Sequence, residues 1–128
     1  MSPMEITPSI SDQDRAAQSR RPVSGRYVSM RQLLIVTARL HGLPDDAILT
    51  HGRRTNRLAR ARRMAWWAAR RVFPRLSTVR IGQLTGGYDH STIIHGLAMC
   101  ERDRSRDPAV RDLSHALLDC LGRSGVPA

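Results

Sequence analysis

Residues 57–74 read RLARARRMAWWAARRVFP, with Leu58, Ala61, Ala65, Ala68 and Val72 three or four positions apart. That spacing repeats once per helical turn, so the stripe is continuous only if the segment is a helix. Met64 and one of Trp66 or Trp67 widen the stripe, and Pro74 ends it, having no N–H to donate. Other segments follow the same period. Ser29 is placed to cap a helix carrying Leu33, Val36, Thr37 and Leu40, which Gly42 and Pro44 stop. DDAILT, residues 45–50, predicts one short helical turn, and HGRRTN, residues 51–56, a basic loop. Ser77 caps a short helix to about Thr85 that offers Val79, Ile81 and Leu84 to a core. Gly86 and Gly87 supply a tight turn with positive φ. Asp89 caps a helix from His90 to about Arg104. Pro108 opens a last helix, in which Val110, Leu113, Leu117 and Leu121 share a face.

No alternating β-branched run is long enough to signal a strand. The expected fold is all-α, a helix-turn-helix domain of about five to six helices. At 128 residues the chain has room for one domain. Residues 1–27 hold Pro3, Pro8, Pro22 and Gly25 without sustained periodicity, and predict a flexible arm. Residues 28–123 form the domain and 124–128 a tail.

Charge narrows the function. The 21 basic residues, every one an arginine, face 11 acidic ones. Between Asp46 and Asp89 there is no acidic residue, whereas Arg53, Arg54, Arg57, Arg60, Arg62, Arg63, Arg70, Arg71, Arg75 and Arg80 fall in that interval. A solvated helix normally mixes signs, so an interval of one sign calls for a polyanion, and nucleic acid is the first candidate. Apolar stretches are too short to cross a membrane, and the N-terminal region, with Asp12 and Asp14, lacks an apolar signal core. The expected location is cytoplasmic, on the nucleoid. Cys100 and Cys120 predict free thiols and small core residues.

The stretch TGGYDHSTIIHG, residues 85–96, collects Asp, His, Ser and Thr as an active site would. Spacing argues against catalysis. His90 and His95 lie five apart, roughly 140° around a helix, and so do His95 and Cys100. The HExxH zinc pattern is absent. Adjacent Asp, His and Ser at a helix start point apart and cannot form a triad. No enzyme activity, metal or cofactor is expected. Two helices joined by a glycine turn suggest instead a helix-turn-helix, whose second helix lays its N-terminal residues on base edges. Asp89, His90, Ser91 and Thr92 are short hydrogen-bonding side chains suited to that. Ser91, His95, Ala98 and Arg102 follow one stripe, towards the groove, while Ile93, Leu97 and Cys100 follow another, towards the core. Plainer readings stay beside this one: Asp89 as a helix cap, His95 as a surface histidine, the tryptophans as core and flank packing.

GGYDHSTIIHG resembles the signature of the C-terminal DNA-binding domain of the bacterial replication initiator DnaA, close to GGRDHTTVxHA. RLARARRMAWWAARRVFPRLSTVRIGQLTGG is similar to that domain's basic loop, long helix and first helix of the motif. The likeness covers residues 30 to about 121. It implies a domain IV fold, Trp-repressor-like, that reads major-groove bases with Asp89, His90, Ser91 and Thr92. It also implies that Arg60 enters the adjacent minor groove, and that Arg57, Arg62, Arg63 and the backbone at Ser77, Thr78 and Val79 lie near phosphates. Arg53, Arg54, Tyr88 and His95 are expected at the DNA backbone too. Tyr88 stands where the family has arginine, Met99 where it often has lysine, and Ser91 where it has threonine, so a different preferred site is expected. With no lysine, the sequence holds no GxxxxGK[ST] loop for ATP.

The resemblance implies a stand-alone sequence reader, monomeric on double-stranded DNA. Such domains resemble the DNA-binding part of activators of gene transfer agent or phage-like clusters, which places a sigma-like protein or RNA polymerase as partner of the arm or last helix. A replication modulator competing for initiator boxes is the alternative. A basic helical module that holds RNA or another protein is the alternative of another class.

Overall fold

The computed structural model describes residues 22–23, 26–50 and 55–124, with side chains over 28–50 and 55–122. Most of the expected arm (residues 1–21, 24 and 25), Arg53 and Arg54, and residues 125–128 of the expected tail lie outside the described residues.

Five helices carry the fold: α1 (Met30–Leu40), α2 (Asn56–Val72), α3 (Thr78–Leu84), α4 (His90–Arg106) and α5 (Pro108–Ser124). Before them β1 (Pro22–Val23) pairs antiparallel with β2 (Arg26–Tyr27), Pro22 opposite Tyr27. No strand was expected, because a ladder of two residues is too short for alternation to show in sequence.

The helices begin where side chains can hold their free N–H groups. Ser29 and Gln32 form a reciprocal box at α1: Gln32 N donates to Ser29 Oγ at 3.1 Å and Ser29 N to Gln32 Oε1 at 2.9 Å. Thr55, Ser77 and Asp89 cap α2, α3 and α4. Residues 45–50 make successive three-residue hydrogen bonds, such as Ala47 N to Pro44 O at 3.0 Å, rather than a helix, and turn Ile48 into the core.

α2 is the axle, packed against all four other helices. Leu58, Ala61, Ala65, Ala68 and Val72 are buried as their spacing predicts, and both tryptophans are buried with them. The expectation that only one tryptophan faces inward fails because α2 is covered on several sides. Leu33 and Thr37 of α1 and Leu117 and Leu121 of α5 complete the core, with Ile81 and Ile93. Val79, expected there, is 47% exposed. It precedes the buried Ile81 by two positions, about 200° around a helix, so a short helix cannot bury both on one face.

Two close approaches set the helix-turn-helix. Gly87 N and Tyr88 N both donate to Gly82 O, at 2.9 and 3.0 Å. A Cβ on Gly82 would lie 2.1 Å from the Tyr88 carbonyl oxygen. A Cβ on Gly96 would lie 2.4 Å from two carbons of the Trp66 indole, so α4 reaches α2 only because residue 96 has no side chain. Gly96→Ala is therefore expected to destabilise the fold by ~1–3 kcal/mol, the usual cost of overpacking, read as a lower midpoint in urea unfolding. An unchanged midpoint would show that α4 can move away from the indole without loss.

Candidate nucleic-acid interface

The structure divides the arginines of the acid-free interval into inward and outward sets. Arg62 is buried: its Nε donates to Ile48 O at 3.3 Å, its Nη2 donates to Thr50 O, and its guanidinium lies 5.7 Å from the centre of the Tyr88 ring. It ties the 45–50 turn to α2 and does not share the outward face. Arg63 reaches Asp103 at 3.6 Å, and Arg70 donates to Leu76 O at 3.1 Å. Arg71 and Arg104 lie over Trp67, 4.1 and 4.4 Å from the ring centre. Both pair with Glu101, which also accepts from the Trp67 indole N–H at 3.1 Å. Glu101 thereby holds two cations on one aromatic ring, and that cationic cluster holds its carboxyl below the usual glutamate range against the opposing cost of desolvation. Arg57 and Arg60 stay exposed, with no carboxylate partner among the described residues.

The leading end of α4 is open. Asp89, His90, Ser91 and Thr92 are all exposed, and the Ser91, His95, Ala98 and Arg102 stripe faces outward as the spacing predicts. Ile93 and Cys100 face inward and Leu97 is half-buried. One Asp89 carboxylate oxygen accepts from Thr92 N at 2.9 Å, and this bond lowers the Asp89 pKa, keeping it ionised at neutral pH. Asp89 is thus a cap, as the plainer reading had it, with its other oxygen uncommitted to that bond.

A contact that the sequence did not disclose joins the two helices of the motif. Thr78 Oγ1, in the first turn of α3, lies 2.6 Å from His90 Nδ1, in the first turn of α4. That bond engages Nδ1 and leaves Nε2 outside it. The partners are twelve residues apart across a turn, and no periodicity links them. Ser77 and Val79 are exposed and Thr78 is half-buried beside them. Tyr88 is half-buried, its ring edge-on to Trp66 at 5.2 Å.

On the neighbouring face, His41 Nδ1 lies 2.8 Å from Thr37 O, the geometry of an N–H donating to a carbonyl. Burial lowers the His41 pKa, and the nearby Arg57 and Arg60 charges push the same way. The Cys100 thiol is pushed up to about 11 by burial, so it stays protonated at neutral pH and makes a poor nucleophile. Among the described residues no three of His, Cys, Asp and Glu gather as a metal would need.

Comparison with known proteins matches residues 27–99 to the family described as the bacterial dnaA protein helix-turn-helix. The chain is similar to the chromosomal replication initiator protein DnaA of Caulobacter vibrioides strain NA1000, 37% identical over 92 residues, which is 72% of this chain and 18% of that protein. The corresponding protein of Paraburkholderia xenovorans is 28% identical over 99 residues, 77% of this chain and 18% of the relative. That of Borreliella burgdorferi strain ATCC 35210 is 35% identical over 54 residues, 42% of this chain and 11% of the relative. The chain therefore spans less than a fifth of the length of these relatives.

The placement of His41 sets a pH dependence. An unfolded histidine takes its proton near pH ~6.5, whereas the folded ring, with its lowered pKa, resists until a lower pH. The stability this contributes is complete above the unfolded value and is lost as pH falls from there through the folded one. NMR titration is expected to give His41 a midpoint below that of a free histidine, and His41→Gln to flatten the fall in urea midpoint on acidification. A His41 midpoint at or above the free value would overturn this placement.

Proposed function

Because the chain belongs to the bacterial DnaA helix-turn-helix family, we propose that it reads specific sequences in double-stranded DNA and serves as a transcriptional regulator. The observation that carries this reading is the leading end of α4: short polar side chains, all exposed, with one ring pinned by the neighbouring helix. In the proposed complex α4 lies in the major groove. His90 Nε2, the Ser91 and Thr92 hydroxyls and the second Asp89 oxygen address base edges. Arg60 enters the adjacent minor groove, where guanidinium groups respond to groove width and A·T content. Arg57, the first turn of α3 from Ser77 to Val79, and His95 approach phosphates, as do Arg53 and Arg54 in the basic loop, whereas Arg63 stays with Asp103. Arg62 takes a supporting role from inside, and Tyr88 offers an aromatic edge where the family has a charge.

The regulator reading names activation of phage-like or gene transfer agent genes, with a sigma-like protein or RNA polymerase met by the arm or by α5, and one monomer per site. No helix among the described residues is long and apolar enough to cross a membrane, which is compatible with a place on the nucleoid. A second reading, competition with the initiator for its own boxes, is favoured by the similarity to chromosomal initiators. Genome-wide footprinting separates the two: sites at promoters of phage-like clusters support the first, and sites confined to the replication origin the second.

Binding to a preferred duplex should weaken with salt, with about 5–7 phosphate contacts each adding about −0.9 to the log–log slope. Arg60→Ala is expected to weaken binding and to relax preference in the flanking A·T-rich part of the site. Ser91→Ala should change discrimination at one base pair by ~1–3 kcal/mol in competition assays. Arg70→Ala, remote from the proposed face, should leave affinity unchanged. Equal affinity for duplex RNA, whose major groove is closed to a helix, would overturn the reading.

A further inference from the structure

A cavity of about 550 Å³ opens between α1, α2, α4 and α5, on the side of α2 that carries Arg57 and Arg60. That size falls within the ~300–1,000 Å³ usual for small-molecule sites. Its floor is apolar, made by Leu40, Met64, Cys100, Val110 and Leu113. Its wall carries Arg57, Arg60 and Arg63 against Asp103 and Asp107, with His41 beside them.

Both carboxylates are already engaged. Asp103 faces Arg63 at 3.6 Å, and Asp107 accepts from Ala109 N at 3.0 Å at the head of α5. Arg57 and Arg60 have no acidic partner among the described residues. The Nε of Arg63 is buried with no hydrogen-bond partner. An orphaned buried donor costs free energy until an acceptor reaches it, and water alone leaves the apolar floor uncovered. Three guanidinium groups against two carboxylates leave one positive charge in excess.

We propose that this cavity binds a small amphipathic monoanion, a carboxylate on an apolar body, and that the bound molecule competes with DNA for Arg60. The carboxylate sits among Arg57, Arg60 and the Arg63 Nε, and the apolar body covers Met64, Val110 and Leu113. Arg60 cannot both hold this anion and lie in a minor groove, so ligand and duplex exclude one another. The competition rests on the DNA reading given above, whereas the site itself does not.

The test uses the full chain and sodium decanoate at concentrations where it is monomeric. Calorimetry without DNA should show saturable binding at one site, with inorganic phosphate and decyltrimethylammonium showing none. His41 ring resonances should shift on saturation, because the anion offsets the two arginines. Ala109→Trp, at an exposed position on the cavity lining, should abolish decanoate binding and leave DNA affinity in its absence unchanged. Arg57→Gln, which alters no packed side chain, should weaken decanoate by about 10-fold, the effect of a charge-assisted bond, and serves if the tryptophan variant does not fold. With decanoate at ten times its Kd, the apparent Kd for DNA should rise about 10-fold by mass action. No saturable binding, equal binding of the cationic amphiphile, or undiminished binding by the variants would overturn the site. Decanoate binding with DNA affinity unmoved would overturn the competition alone. Decanoate binding to a chain that binds no duplex would leave the site standing and sink the DNA reading.

Discussion

The contact between the Trp66 indole and the bare backbone at Gly96 sets the geometry of everything around it. The same ring donates its N–H to Thr85 Oγ1 at 3.0 Å, and Thr85 Oγ1 donates to Ile81 O at 2.7 Å. It also makes a T-shaped contact with Tyr88, which in turn lies by the buried Arg62. One side chain of α2 therefore touches the residue that caps the end of α3, the turn and α4 together. The angle between the arginine-bearing helix and the helix proposed to read bases follows from packing around that ring.

Charge is handled in the same economical way. A run of arginines without acids would strain a small domain by self-repulsion. The fold relieves it by turning Arg62 onto backbone carbonyls and by gathering Arg71 and Arg104 around Trp67 and Glu101. What remains outward at the start of α2 is Arg57 and Arg60, a smaller and better placed set than composition implies. Their field is felt at His41, the residue that caps the C-terminal end of α1.

Much of this was legible in sequence because caps and periods are local. Ser29, Ser77, Asp89 and Pro108 mark helix starts by their own chemistry, and the α2 stripe is buried as its spacing requires. The exposed stripe on α4 was readable for the same reason, and the resemblance read in GGYDHSTIIHG agrees with the family matched over residues 27–99. What stayed hidden depends on which faces meet. Periodicity says that one side of a helix is buried, but not that α2 is covered all round, so the second buried tryptophan was missed. Nor could it show that Arg62 turns inward while its neighbours do not, or that Thr78 meets His90 across the turn.

The Thr78–His90 bond also bears on how transferable such a reading head is. A residue that would sit against the sugar–phosphate rail sets the pose of a residue that would meet a base, so position along the rail and choice of letter are not separable. Moving residues 89–92 alone into another scaffold would carry the alphabet without the hand that holds the pen. A graft meant to keep its preference has to bring residue 78 along.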